Sequence, residues 1–263
     1  MLDLIVEKFD GKYTLEQFLD IMRMLRAPNG CPWDREQTHS SIRNNFLEET
    51  YEVIDAIDRD STEDMREELG DVLMQVVFHS IIAEEENRFD FSDVVDEVSK
   101  KLVFRHPHVF GDVTAETSEK VLDNWEKLKR TEKSQSTYTD TLKSVPLAFP
   151  ALMRAQKLQK RAAKAGITED NSLEEIKKQT AKLNEVFDAY DKEKATEIIG
   201  DMLFAVAAAA RLLKVDCEEA LQKSSDKYVD VFSKAEALIT ADGKDMKELS
   251  RDELSAYFLK AQG

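Results

Sequence analysis

Cysteine is nearly missing from this chain. Cys31 and Cys217 are the whole complement in 263 residues, too few for a disulfide framework and wrongly spaced for a zinc cluster, so a reducing cytoplasm is the expected setting. Long apolar runs are missing too. Nowhere do eighteen apolar residues follow one another; Met202 to Leu213 is too short and too interrupted to span a bilayer, and Met1 to Tyr13 lacks the apolar core of a secretory signal. Positive charge is in deficit. With 53 acidic against 37 basic residues the formal charge is -16, which disfavours nonspecific binding to DNA, RNA or anionic membranes. The eight glycines and five prolines are few against an abundance of Glu, Lys, Leu and Ala. Long helices and little sheet follow, and the expected fold class is all-α.

Common phosphate and acyl-transfer signatures are also lacking. There is no Gly-x-x-x-x-Gly-Lys loop and no Gly-x-Ser-x-Gly elbow. Arg66-Glu67-Glu68-Leu69-Gly70 faintly resembles a Nudix box, but no glycine lies between Gly30 and Gly70 to complete it. No segment alternates Asp or Asn around a central Gly as an EF-hand requires.

What is present is helical periodicity carrying acids. A capping box, Thr14-x-x-Gln17, opens a first helix that Ala27-Pro28-Asn29-Gly30 stops near Arg26, and a structured loop, Cys31-Pro32-Trp33-Asp34, follows. A second helix, from about Ser41 to Arg59, sets Leu47, Thr50, Tyr51, Ile54 and Ile57 on one face and Glu49 with Glu52 on another. The third, about Thr62 to Glu86, is expected to bury Leu69, Val72, Leu73, Val76 and Ile81, with Glu68, Asp71 and Gln75 bordering that stripe. A short turn between antiparallel helices sets Glu48-Glu49-x-x-Glu52 against Glu68-x-x-Asp71.

Carboxylates so close repel one another unless a cation neutralises them, and an all-oxygen donor set suits Mg²⁺, with Mn²⁺ as a substitute. Ferritin-like di-iron sites need His at i+3, where Glu52 and Asp71 stand instead. Asp71 follows Gly70, a glycine inside a helix that costs about 1 kcal/mol relative to alanine and calls for close approach or packing.

A polar stretch, Thr131 to Thr141, is the expected linker between residues 1–135 and 136–263. Beyond it the plan repeats. Asn184-Glu185-Val186-Phe187-Asp188-Ala189 echoes Tyr51-Glu52-Val53-Ile54-Asp55-Ala56, and Gly200-Asp201-Met202-Leu203 echoes Gly70-Asp71-Val72-Leu73, as an internal duplication predicts.

Taken together, Leu25-Arg26-x-Pro28-x-Gly30-Cys31-Pro32-Trp33-Asp34-x-x-Gln37-Thr38-His39 and the two acidic clusters strongly resemble the MazG family of nucleoside triphosphate pyrophosphohydrolases. Arg105-His106-Pro107-His108-Val109-Phe110-Gly111-Asp112 and Asn124-Trp125-Glu126-x-x-Lys129 match that family as well. The resemblance implies tandem all-α domains in a homodimer that completes the helix bundle, and Mg²⁺-dependent hydrolysis of nucleoside triphosphates to monophosphate and pyrophosphate. By similarity, Glu49, Glu52, Glu68 and Asp71 hold the metal and Glu48 orients or deprotonates water, its alternative being a plain surface carboxylate. Lys101 and Arg105, one turn apart, reach the triphosphate or form a solvated basic edge. Trp33 stacks on a base or simply packs, His106 and His108 contact phosphate or serve structure, and Cys31 is a packed thiol.

The second half departs from this pattern. Glu-Glu-x-x-Glu becomes Ala181-Lys182-x-x-Glu185, Glu-x-x-Asp becomes Ile198-x-x-Asp201, and the family's Gly-Phe-Asp-Trp reads Gly166-Ile167-Thr168-Glu169. Lys227 matches Lys101, but Asp230-Val231 stands near the place of Arg105. Catalysis is therefore expected in the first domain, with the second a dimerisation or regulatory module. The competing expectation is a nonhydrolytic nucleotide sensor or helical scaffold.

Overall fold

The computed structural model describes residues 11–132, 136–168, 170–187 and 190–263. Most of Met1 to Tyr13, three residues of the expected linker, Glu169, and the Asp188-Ala189 end of the sequence echo lie outside them. Among the described residues every regular element is helical. In chain order they are α1 (Leu15–Arg26), α2 (Pro32–Glu36), α3 (Arg43–Asp58), α4 (Thr62–Glu85), α5 (Phe91–Arg105), α6 (Pro107–Phe110) and α7 (Ser118–Glu132). After these come α8 (Tyr138–Lys143), α9 (Ala151–Ala163), α10 (Ser172–Phe187), α11 (Lys192–Leu212), α12 (Cys217–Ala241) and α13 (Arg251–Gln262). The chain divides into two compact units, residues 1–128 and 129–263, so α7 runs across the boundary, and its last two residues enter the stretch expected as a linker.

Local chemistry sets the helix ends. Thr14 and Gln17 form the reciprocal capping box that opens α1. After α1 the chain doubles back so tightly that a Cβ on Gly30 would sit 2.2 Å from the Met24 carbonyl oxygen, a contact only glycine avoids. Pro32 then starts α2, where a missing N–H costs nothing, so the Cys-Pro-Trp-Asp segment is a short helix rather than a loop. Arg26 holds it. One arm donates to the backbone carbonyls of Asp34 and Gln37, the fork grips Glu85 at 2.6 and 2.9 Å, and the guanidinium lies 5.3 Å from the Phe78 ring centroid.

In the first unit Met22, Ile42, Val77, Phe78, Ile81 and Ile82 form the core, with Phe18, Leu19, Met74 and Phe91 against it. This core joins α1, the start of α3 and the C-terminal half of α4. Of the residues expected to be buried on α4, Ile81 is, but Leu69 and Leu73 stay exposed. Leu47, Tyr51, Ile54 and Ile57 on α3 are exposed as well, because no element among the described residues of this unit covers that face of α3 and the N-terminal half of α4. Gly70 lies on open surface too, and a Cβ added to it would meet nothing within 4 Å.

The second unit repeats the hairpin, α10 packing on α11 as α3 packs on α4. The backbone carries the same punctuation. Asp60 and Tyr190, both in the left-handed region, stand eleven residues before Asp71 and Asp201, and a second left-handed residue follows α4 (Asn87) and α11 (Lys214). Ala205, Ala207, Ala208, Val231, Ala235 and Ile239 are buried here, and Gln156 links α9 to the start of α12 through the Val215 carbonyl and the Cys217 N–H.

Candidate metal centre and its surroundings

The α3–α4 hairpin assembles the acidic site. A donor oxygen from each of Glu49, Glu68 and Asp71 lies within 4.8 Å of the others, and all three side chains are half-buried. Spacing of three on each helix keeps the acids on facing surfaces, and the tight turn at Asp60 fixes the register. Arg59 braces that turn by bonding Asp55 and Asp64, each at 2.7 Å. Glu52 is exposed and stands outside the trio, but its carboxylate lies near enough to Glu68 to raise that residue's pKa. Glu48, one residue before Glu49, is exposed.

Electrostatics mark the site as strained without a cation. Partial desolvation, then the carboxylates of Asp71, Glu52 and Glu48, push the Glu49 pKa up. The Glu68 pKa rises for the same reason, desolvation first, then the charge and hydrogen bond of Glu52, then Asp71 and Glu67. An all-carboxylate, partly desolvated donor set of this span fits a hard divalent ion, which would offset the mutual repulsion.

The remaining sequence candidates fall in two places. Trp33 is 58% exposed on α2, so its indole does not pack in the core of its unit. Lys101 is exposed on α5. Arg105, one turn on, is only 6% exposed and lies 5.1 Å from the Trp125 ring centroid. The His106 ring meets the same indole edge-on at 4.8 Å, its Nδ1–H donates to the Leu102 carbonyl at 2.6 Å, and His108 sits 5.5 Å away. The two tail motifs of the first unit thus fold into one aromatic–cationic knot at the end of α5.

Gln75, expected beside Glu68 and Asp71 at the edge of the apolar stripe, is buried with an unpaired Oε1. One feature was not expected from the sequence. His39 and His79 bring their Nδ1 atoms within 2.8 Å of each other. His79 extends the row Glu68, Asp71, Gln75 at helical spacing, a signal available in the letters; its partner, forty residues earlier, was not.

In the second unit, no group of three metal-capable side chains gathers among the described residues. Ile198 is buried where the first unit has Glu68. The Gln179 amide, 2% exposed, donates to Glu175 at 2.6 Å and to Asp201 at 3.4 Å.

Comparison with known proteins agrees with these features. The MazG nucleotide pyrophosphohydrolase domain matches residues 37–110, the span from the Gln37-Thr38-His39 string through both acidic clusters to Phe110. A nucleoside triphosphate pyrophosphohydrolase of Escherichia coli (strain K12) is 45% identical over 238 residues, 88% of this chain and 90% of its own. Nucleoside triphosphate pyrophosphohydrolase/pyrophosphatase MazG of Thermotoga maritima is 40% identical over 248 residues, 94% of this chain and 95% of its own. A nucleoside triphosphate pyrophosphohydrolase of Mycolicibacterium smegmatis is 33% identical over 261 residues, 94% and 71% of the two chains. Similarity of this extent, over both units, shows that the chain belongs to the MazG nucleotide pyrophosphohydrolase family.

Proposed function

We propose that this protein hydrolyses nucleoside triphosphates to monophosphate and pyrophosphate in a Mg²⁺-dependent reaction, as a cytoplasmic homodimer that removes unwanted nucleotides from the pool. The observation that carries this reading is the convergence of Glu49, Glu68 and Asp71 on facing helices in a chain of this family. These three residues would hold the cation, and Glu52, whose carboxylate acts on Glu68, is placed to join them. Mg²⁺ bound there supplies charge neutralisation at the phosphate oxygens and makes a coordinated water more acidic. Glu48, one residue before Glu49, would accept the water's proton. Lys101, exposed one turn before the Arg105–Trp125 knot, offers a mobile ammonium to the triphosphate, while Arg105 and His106 keep that end of α5 fixed.

The homodimer rests on the exposed stripe along α3 and α4. Tyr51, Ile54, Ile57 and Leu69 are each at least 46% exposed, an apolar surface of the kind that a second copy covers. Open space above Gly70 leaves room for close approach. In this reading the first unit is catalytic and the second, lacking the acidic trio, serves assembly or regulation. The deciding experiment incubates the purified protein with each triphosphate and Mg²⁺. Monophosphate plus pyrophosphate is the expected product pair; diphosphate plus orthophosphate, or no product, refutes the assignment.

A further inference from the structure

A cleft of about 430 Å³ opens beside the acidic site, lined by His39, Arg43, Phe46, His79 and Phe89 among others. It belongs to the same hairpin. Arg43 stands six residues before Glu49 on α3 and His79 eight after Asp71 on α4, rises of about 9 and about 12 Å along the two helices. The Phe46 and His79 rings meet 5.8 Å apart, closing α3 against α4 at the cleft. The spacing is that of a group tethered to, and distinct from, a phosphate held at the carboxylates.

The His39 and His79 rings lie at an interplanar angle of 4°, with their Nδ1 atoms 2.8 Å apart, a contact that needs one of the two nitrogens to donate and the other to accept. His39 Nε2 is buried without a hydrogen-bond partner and stands 3.9 Å from the Glu86 carboxylate, which favours a proton on that nitrogen. His39 Nδ1 is then the acceptor, His79 Nδ1–H the donor, and His79 Nε2 keeps its lone pair. Desolvation, then the neighbouring His39, holds the His79 pKa below its usual value, which favours the neutral ring. The Ser80 hydroxyl is taken by the Val76 carbonyl. What remains for a ligand is one imidazole acceptor, one guanidinium fork and aromatic walls.

We propose that this cleft seats the nucleobase of the triphosphate and selects the lactam edge, a C=O beside an N–H, of guanine, hypoxanthine and uracil over the amino edge of adenine and cytosine. Arg43 donates to the carbonyl oxygen, and in purines also to N7; His79 Nε2 accepts from the ring N–H; Phe46 and Phe89 cover the ring faces. An amino edge reverses both contacts, setting N–H₂ toward the guanidinium and a ring lone pair toward His79 Nε2, and each mismatch leaves a desolvated group unpaired. The proposal rests on the triphosphate reading above.

The test compares kcat/KM for GTP with ATP and for UTP with CTP in Mg²⁺, in the full-length protein. The lactam member of each pair is expected to lead by about fivefold or more, the lower range for a well-placed base contact. In Arg43→Gln and His79→Phe both ratios should fall toward one, while His79→Gln, whose amide oxygen restores an acceptor, keeps part of the preference. Circular dichroism and thermal unfolding establish that each variant is folded. Pyrophosphate release with no lactam preference, or a preference unchanged in folded Arg43→Gln and His79→Phe, overturns the cleft assignment alone. No pyrophosphate release from any triphosphate overturns the triphosphate reading itself.

Discussion

The side-chain amide of Gln179 stands against the Asp201 carboxylate, 3.4 Å from Nε2 to Oδ2, at the place where Asp71 of the first unit meets Glu49 and Glu68. A neutral amide occupies the second unit's acidic pocket in place of a cation, and buried Ile198 stands in for a ligand. Asp201→Ala and Glu185→Ala are therefore expected to leave pyrophosphate release within about twofold of the parent, as for surface changes away from the chemistry. A loss of two orders of magnitude in either would move catalysis to the second unit.

In the first unit the same truncations should be severe. Glu52→Ala, Glu68→Ala and Asp71→Ala each remove a carboxylate at or against the trio, and a loss of at least about 100-fold in activity is expected, the upper range even for residues that only support metal ligands. Metal binding provides an independent readout. Mg²⁺ should raise the melting temperature of the parent, consistent with about 2.7 kcal/mol at a hundredfold excess over Kd, and chelation should reverse it; in Asp71→Ala neither shift should occur.

Arg26 predicts a stability effect. Its side chain is 6% exposed and joins α1, α2 and α4 through two backbone carbonyls and the Glu85 fork. Arg26→Ala should cost about 2–3 kcal/mol, in line with lost hydrogen bonds to a charged group, and Arg26→Lys should recover less than half because lysine lacks the planar fork. Denaturant unfolding of the three proteins measures both.

Dimerisation can be tested at the exposed stripe. Ile54→Glu and Ile57→Glu introduce charge on a surface that is already in water in the single chain, so a monomer should tolerate them. If the stripe is the dimer interface, light scattering should show the parent at twice the chain mass and the double variant at the chain mass. A monomeric parent would reject the interface.

Asp90 gives a pH-dependent prediction. Hydrogen bonds, from the Ser92 hydroxyl first and then the backbone at Asp93 and Ser92, hold its carboxyl below the usual value at the start of α5. A depressed folded-state pKa contributes stability above the unfolded value of about 3.9, and that contribution is lost as pH falls through the folded value. Asp90→Ala should lower the melting temperature at pH 7, and the gap between variant and parent should narrow steadily as pH is brought below about 4.

Much of this molecule can be read from its letters because the relevant physics is local. The Thr14 capping box, the breaks at Pro28 and Gly30, and the helical period around Glu49 and Glu68 each depend on residues within a turn of one another. The hairpin that brings two acidic clusters together needs only a short turn between two such helices. Misreadings arose where a distant partner decides. Cys31 to Asp34 reads as a loop because the guanidinium that organises it, on Arg26, is itself held by Glu85 from another helix. Leu69 and Leu73 read as core because periodicity shows which face is apolar, not what covers it.

The sequence by itself determined an all-α chain of duplicated plan, the family, and which carboxylates share a hairpin, since those follow from short-range periodicity and from strings of residues. Tertiary structure decided the rest. It separated Glu52 from the trio of Glu49, Glu68 and Asp71, turned Arg105 from solvent onto Trp125, filled the second unit's pocket with Gln179, and paired His39 with His79. Each of these depends on where a side chain points across a packed interface, at ångström distances that no one-dimensional pattern encodes.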